Sequence, residues 1–229
     1  MSELSENKNA GRISEKKRLI YSMIIPGLFV FIAFTLKLIE TLENVSFVYL
    51  GVKPHSVEGL PGILFSPLIH GDWDHFSANA VPLLILGTAL FYFYRDISVK
   101  VFVFVWIFTG ILLWAGGRTG VWHIGASGVI YGLGAFLFFS GLFRNYIPLI
   151  AISLTVVFLY GSMFWGMIPV KWDLPYSWEA HLFGTISGLI LAIAYRKEGP
   201  QKPVPFWFYE EEEENKEEEE NEPFTDDEN

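Results

Sequence analysis

The sequence predicts an all-α polytopic membrane protein with six transmembrane helices and with both termini in the cytoplasm. Three observations support this prediction: the composition, the recurrence of apolar runs, and the distribution of basic residues. Hydrophobic residues make up 52% of the chain and charged residues 18%, whereas an ordinary soluble domain is about 25% charged. Several runs approach the roughly 20 apolar residues that a helix needs to cross a bilayer.

The first span follows a polar arm, residues 1–18, which ends in three basic residues. We expect residues 19–196 to form one transmembrane domain, with Pro26-Gly27 bending its first span. The connection over residues 37–68 is apolar enough to lie partly in the membrane interface. The spans are predicted at 19–36, 75–94, 97–117, 126–143, 147–168 and 178–195.

Basic residues are unevenly distributed between the two sides of these spans, and cytoplasmic loops are the ones enriched in Lys and Arg. The side that holds both termini carries Lys8, Arg12, Lys16, Lys17, Arg18, Arg95, Lys100, Arg144, Arg196, Lys197 and Lys202. The other side carries only Lys37, Lys53, Arg118 and Lys171. This bias predicts cytoplasmic termini, and we expect a multi-pass protein of a bacterial inner membrane.

The formal net charge of −9 is a property of the C-terminal tail, residues 197–229, which holds more than half of the 25 acidic residues. Such a run of like charges repels itself, so we expect a disordered cytoplasmic tail. The absence of cysteine excludes disulfides, thiolate catalysis and cysteine-ligated metals. The expected partners are membrane lipid and other membrane proteins, with no nucleic acid.

Polar and ionisable side chains stand inside the predicted spans, where a charged one costs roughly 2.5–3.5 kcal/mol at mid-helix. They occur between His70 and Asn79, at Ser127, and around His181. Counted at about 1.5 Å per residue from the basic residue at each inner boundary, Ser127, His181, Asn79 and His75 lie roughly 22–30 Å from the inner surface. Since the hydrocarbon core is about 30 Å thick, these groups share one layer just below the outer surface.

Small residues give two of these spans a way to approach each other, because small-xxx-small ridges let helix backbones pack closely in lipid. One ridge is on the fourth span and one on the sixth: Gly128, Gly132, Ala180, Gly184 and Gly188. If the ridges face each other, Ser127 and His181 meet near the top of the contact. On this feature alone, ordinary close packing is the simpler interpretation.

Together, Ser127 and His181 indicate nucleophilic catalysis, since a serine hydroxyl is a poor nucleophile until a neighbouring base takes its proton. Asp173 and Glu179 are expected at or above the outer surface, so the pair would act as a dyad without a carboxylate. Tyr131 lies one turn below Ser127 on the same helix face, where it is placed to stack on the imidazole.

A candidate set of oxyanion donors combines His75 and Asn79, which share one helix face, with the Ser127 backbone N–H. The alternative is a metal site built from neighbours in sequence: His70, Asp72, Asp74 and His75. It is disfavoured because no HExxH-type helical spacing is present and the aspartates are expected to face solvent. We therefore expect neither a metal nor another cofactor.

Three motifs, in this order, resemble those of the rhomboid intramembrane serine proteases. Residues 70–79 read HGDWDHFSAN and resemble the family's HxxxxHxxxN at the start of its second helix. Residues 125–132 read GASGVIYG and resemble GxSGxxxG, and residues 180–188 read AHLFGTISG and resemble AHxxGxxxG. The resemblance spans residues 70–188, which is nearly the whole predicted transmembrane core.

The resemblance implies a six-helix rhomboid-like bundle that hydrolyses peptide bonds in or next to transmembrane segments of other membrane proteins, without a cofactor. Water would reach the site from the outer side, and Phe164 and Trp165 would line a lateral substrate gate. The implied roles are Ser127 as nucleophile, His181 as general base, His75 and Asn79 as oxyanion donors, Tyr131 as the stacking partner of His181, and His70, Gly125 and Gly128 as supporting residues.

The chain departs from the family pattern at two places. The Trp-Arg pair usual in the first loop is replaced by GLPGILF at residues 59–65, and a glutamate frequent near the inner end of the second helix is replaced by Tyr94-Arg95-Asp96. The departures bear on how the first loop is anchored and on the substrate range.

Two rival functions follow from the same sequence. One is a catalytically silent rhomboid-like protein that binds transmembrane clients, although such relatives generally lack the serine, the histidine or both. The other is a small channel or transporter, which would need polar residues in the inner half of the spans, where this chain has few.

Overall fold

The computed structural model describes residues 2–168 and 177–203, with side chains except at residues 2–14, 163 and 164. Regular structure in these ranges is helical, apart from one isolated β-bridge between Val52 and His123, so the all-α prediction is confirmed. The helices are α1 (Ser2–Glu43), α2 (Gly62–Phe65), α3 (Trp73–Phe93), α4 (Ser98–Gly116), α5 (Ser127–Arg144), α6 (Ile147–Tyr160) and α7 (Trp178–Ala194). Asp173 and most of the predicted acidic tail lie outside the described residues.

Within the described residues, four helices are long and apolar enough to cross a membrane: Glu15–Glu43 within α1, and all of α3, α4 and α5. The apolar helices α6 and α7 are shorter, with 14 and 17 residues. Helical structure continues beyond α6, because the 3-10 segment Gly161–Met167 follows directly. The multi-pass membrane architecture is established, whereas the count of six spans and the orientation of the termini stay predictions.

Helix α5 is the centre of the bundle and packs against α3, α4, α6 and α7. Its contact with α7 is the most extensive between any two described elements. Glycines make this contact possible, because a Cβ at Gly184 would overlap the Gly128 carbonyl and one at Gly188 would overlap the Gly132 carbonyl. The two small-residue ridges predicted from the sequence therefore do face each other.

The first loop is folded against α4 by contacts that do not use a Trp-Arg pair. The Trp114 indole donates to the Ser56 carbonyl at 2.8 Å, and the His55 N–H donates to the Trp114 carbonyl at 3.0 Å. Gly110 leaves room for Ile63, because a Cβ at position 110 would lie only 2.9 Å from Ile63. These contacts fix the loop that leads into α3.

At the opposite end of the bundle, Arg144 joins the C-terminal ends of α5 and α7. Arg144 is the last residue of α5 and is only 7% exposed, and its position on the cytoplasmic side stays a prediction. Its guanidinium donates to the Tyr195 carbonyl at 2.6 Å and the Glu198 carbonyl at 2.8 Å. It also lies 5.3 Å from the ring centre of Tyr94, within cation–π range.

Candidate active site

Helices α3, α5 and α7 begin at the same end of the bundle, around a cavity of about 760 Å³. Ser127 is the first residue of α5 and lines this cavity. The lining also includes four of the residues singled out from the sequence: His75, Asn79, Tyr131 and His181. The helical rise placed all of them at one level except Tyr131, which is one turn below Ser127, and the structure places them around one cavity.

The turn before Ser127 is fixed by two contacts with the segment that precedes α3. The Gly125 N–H donates to the Ser66 carbonyl at 2.8 Å, and the Ala126 N–H lies 3.5 Å from His70 Nε2. Gly125 has φ +105°, a left-handed conformation that favours glycine, and a Cβ there would lie 2.6 Å from His75 Nε2. A glycine is therefore needed two residues before the candidate nucleophile.

His70 accepts this hydrogen bond because it is neutral at physiological pH. Burial, assisted by the nearby His75, lowers the pKa of His70 to about 4. The uncharged ring keeps a lone pair on Nε2, which faces the Ala126 N–H. His70 thus supports the turn before Ser127 and is not part of the cavity lining.

The Ser127 hydroxyl lies 2.9 Å from His181 Nε2. The other ring nitrogen, Nδ1, lies 2.9 Å from the Gly166 carbonyl. Since a carbonyl oxygen only accepts, Nδ1 carries the hydrogen, and in the neutral ring Nε2 is left to accept the Ser127 proton. The Tyr131 ring is stacked on the imidazole, with ring centres 4.1 Å apart and planes 4° apart.

Gly166 was missed by the sequence reasoning, which found only Tyr131 to hold the ring. It lies in the 3-10 segment after α6, where neither helical periodicity nor a motif marks it. A Cβ at Gly166 would overlap the Tyr131 hydroxyl and lie 3.2 Å from His181 Nδ1. The absence of a side chain lets the backbone carbonyl approach the imidazole.

We expect Gly166→Ala to lower kcat by about 10²-fold, the cost of displacing a reacting group by roughly 1 Å. Gly161→Ala is the matched control, because a Cβ there would meet only Val157, at 3.7 Å. Cleavage of a membrane substrate by the two purified variants measures the difference. Equal kcat values for both variants would show that the Gly166 carbonyl does not hold His181.

The candidate oxyanion donors His75 and Asn79 line the same cavity as Ser127. The Asn79 amide donates one hydrogen to the His75 carbonyl at 2.7 Å, which leaves its second Nδ2 hydrogen for a ligand. The Ser127 N–H belongs to the first turn of α5, where backbone donors lack intrahelical acceptors. The positive end of the helix dipole adds to the attraction for an anion.

The charged residues near the starts of α3 and α7 have defined surroundings. Asp72 and Asp74 are exposed, as expected. Glu179 is only 4% exposed within the fold and lies 3.5 Å from the Arg118 guanidinium, and its level relative to the membrane surface stays a prediction. Asp72 accepts from the His75 N–H at 2.6 Å as the N-cap of α3. In the described part of the chain, no three His, Asp or Glu side chains converge as a metal-binding group.

The gate residues proposed from the sequence are only partly described. Trp165 is 67% exposed on the 3-10 segment after α6, and the side chain of Phe164 lies outside the described residues. Their role in substrate access stays a prediction.

Known proteins share the part of the chain that carries this site. A family model described as the Rhomboid domain matches residues 58–198. Uncharacterized proteins of Mycobacterium bovis and Mycobacterium tuberculosis are 35% identical over 180 residues, covering 76% of this chain and 74% of each relative. An uncharacterized protein of Mycobacterium leprae is 35% identical over 182 residues, covering 76% of this chain and 70% of that relative.

Proposed function

The chain belongs to the rhomboid family, and from this premise we propose that it is an intramembrane serine endopeptidase with Ser127 and His181 as its catalytic dyad. The observation that carries the proposal is the 2.9 Å contact between Ser127 Oγ and an imidazole nitrogen whose lone pair is directed by the Gly166 carbonyl. Its substrates would be transmembrane segments of other membrane proteins. No cofactor takes part in this chemistry.

In the first half of the reaction, Ser127 Oγ attacks the scissile carbonyl carbon while His181 Nε2 takes the hydroxyl proton. The carbonyl oxygen becomes an oxyanion, which the Ser127 N–H, the Asn79 amide and His75 are positioned to stabilise. The imidazolium then gives its proton to the leaving amine, and the new amino terminus departs. The carboxyl half of the cleaved bond stays on Ser127 as an ester.

In the second half, a water molecule attacks the ester carbonyl carbon as His181 takes one of its protons. The second tetrahedral intermediate collapses, the proton returns to Ser127 Oγ, and the carboxylic acid product leaves. During both halves, the Gly166 carbonyl and the stacked Tyr131 ring hold the imidazolium in place. They do the work that a carboxylate does in a triad.

Water for the second half can be supplied by the cavity itself, which is lined in part by polar groups. The residues Asp72, Arg118, His123 and Ser177 line it together with the candidate dyad. A hydrated cavity resolves the difficulty of hydrolysis at membrane depth, because the water does not have to cross lipid.

The proposal is tested by reconstituting the purified protein in lipid vesicles with a panel of single-span membrane proteins that are tagged at both ends. We expect at least one to be cut in or beside its span, at the depth at which α3, α5 and α7 begin, as read from the fragment masses. Cleavage should persist with a metal chelator. Association with the panel without cleavage would instead indicate a silent, client-binding rhomboid-like protein.

We expect Asn79→Ala to lower kcat by about 10²-fold, the lower end of the usual cost of removing one oxyanion donor, because other donors remain. KM should change little, since the oxyanion exists only after attack. The exposed Ser77, two residues away on α3, provides the control variant Ser77→Ala. An unchanged kcat in Asn79→Ala would remove this residue from the oxyanion set.

A further inference from the structure

A second serine–histidine contact lies in the cavity wall, separate from the candidate dyad. His123 Nδ1 lies 2.7 Å from Ser177 Oγ, and His123 Nε2 lies 3.3 Å from the Arg118 carbonyl. Since the carbonyl only accepts, Nε2 carries the hydrogen, and Nδ1 accepts from the Ser177 hydroxyl. Burial lowers the pKa of His123, which favours this neutral form.

The backbone of His123 is fixed by hydrogen bonds to Val52. It exchanges two hydrogen bonds with Val52, with N···O distances of 2.8 and 2.9 Å, and Val52 is fully buried. His123 also comes four residues before Ser127, in the strand-like stretch that leads into α5. The backbone that carries the imidazole is therefore fixed next to the start of α5.

Ser177, the partner of His123, is the N-cap residue of α7. Its hydroxyl oxygen accepts from the Ala180 N–H at 3.2 Å as the N-cap, and its carbonyl accepts from the His181 N–H at 3.3 Å. The ion pair between Arg118 and Glu179 links the same loop to the same helical turn. Ser177 is therefore in direct contact with the backbone of the candidate general base.

We propose that His123 is a positioning residue, whose hydrogen bond to Ser177 fixes the first turn of α7 and thereby holds His181 at reacting distance from Ser127. The inference rests on the proposed function and adds a role that no motif of the chain assigns. The α5–α7 contact is made largely by glycines, which allow close approach but offer few side chains to resist sliding along the helix axis. The His123–Ser177 bond opposes that sliding at the level of the dyad.

The test compares variants that break the contact with variants that keep it. His123→Leu removes both ring nitrogens, and His123→Asn keeps an oxygen near the Nδ1 position. Ser177→Gly removes the hydroxyl but leaves an acceptable N-cap residue, and Ser177→Thr keeps the hydroxyl. His55→Asn is the control, because His55 is an exposed histidine of the first loop and asparagine tolerates its backbone φ of +58°.

We expect His123→Leu and Ser177→Gly each to lower kcat by about 10-fold to 100-fold with little change in KM, the range expected for a displacement of up to 1 Å. His123→Asn and Ser177→Thr should recover most of the rate, and the double variant His123→Leu/Ser177→Gly should be no slower than either single one. A wild-type kcat in His123→Leu overturns the proposal. A loss that the conservative variants do not recover also overturns it, since it would reflect general destabilisation.

Amide hydrogen exchange separates this inference from the proposed function. His123→Leu should raise exchange in the first turn of α7, residues 178–184, and leave exchange in α3 unchanged. If the wild-type protein cleaves nothing, the proposed function fails. The exchange result alone then decides whether the His123–Ser177 hydrogen bond fixes the first turn of α7. Unchanged exchange at residues 178–184 overturns the positioning role in either case.

Discussion

The Ser127→Ala variant is expected to lose cleavage of membrane substrates by about 10⁴-fold or more, down to the background rate. Attack requires a hydroxyl oxygen within hydrogen-bonding reach of the His181 base, and Ser127 Oγ meets this requirement at 2.9 Å. The fold should survive the substitution. Ser127 does not cap α5, whose N-cap is Ala126 without a side-chain cap bond, and alanine is the best helix former.

Ser162→Ala is the matched control, because Ser162 is an exposed serine that also lines the cavity. Cleavage rates are to be compared per unit of folded protein, with thermal unfolding as the check on integrity. The control should cleave at the wild-type rate. Substantial cleavage by Ser127→Ala would contradict the assignment of the nucleophile.

The His181→Ala variant is expected to lose 10²-fold to 10⁴-fold in kcat, the usual contribution of a general base. The change removes the proton acceptor and leaves an imidazole-sized space between the Tyr131 ring and the Gly166 carbonyl. Free imidazole added to the assay should enter this space from the cavity and restore part of the rate. Restoration would show that the loss is chemical and not a failure to fold.

His55→Asn again supplies a control histidine outside the cavity, and it should neither lose activity nor respond to imidazole. Retention of near wild-type kcat by His181→Ala would remove the dyad from the mechanism. A loss that imidazole leaves unchanged at every concentration, together with a lowered unfolding temperature, would assign His181 a structural role.

Most of the fold can be predicted because lipid imposes simple rules on sequence. Apolar runs mark the long helices, and the level of Ser127 relative to His181 follows from the constant rise of a helix. The α5–α7 contact follows from glycine spacing, since backbones that touch leave no room for a Cβ at Gly184 or Gly188. These features depend on residues that are near one another in sequence or repeat at a fixed period.

The features that the sequence does not predict depend on contacts between segments that are far apart in the chain and follow no helical period. The predicted span 147–168 ends its α-helix at Tyr160, and only the 3-10 geometry that follows brings the Gly166 carbonyl to His181. Glu179 is buried and lies beside Arg118, and nothing in the local sequence of α7 predicts this pair. His123 and Ser177 are 54 residues apart and belong to no shared motif.

The central claim, that His181 activates Ser127 for attack on a carbonyl, is tested most directly by covalent labelling with a fluorophosphonate followed by peptide mass mapping. This measurement needs no knowledge of the natural substrate, because the probe reports the activated hydroxyl itself. We predict a single adduct on Ser127 in the wild-type protein and strongly reduced labelling in His181→Ala. An adduct that persists in Ser127→Ala, or a folded wild-type protein that takes up no probe, would contradict the account.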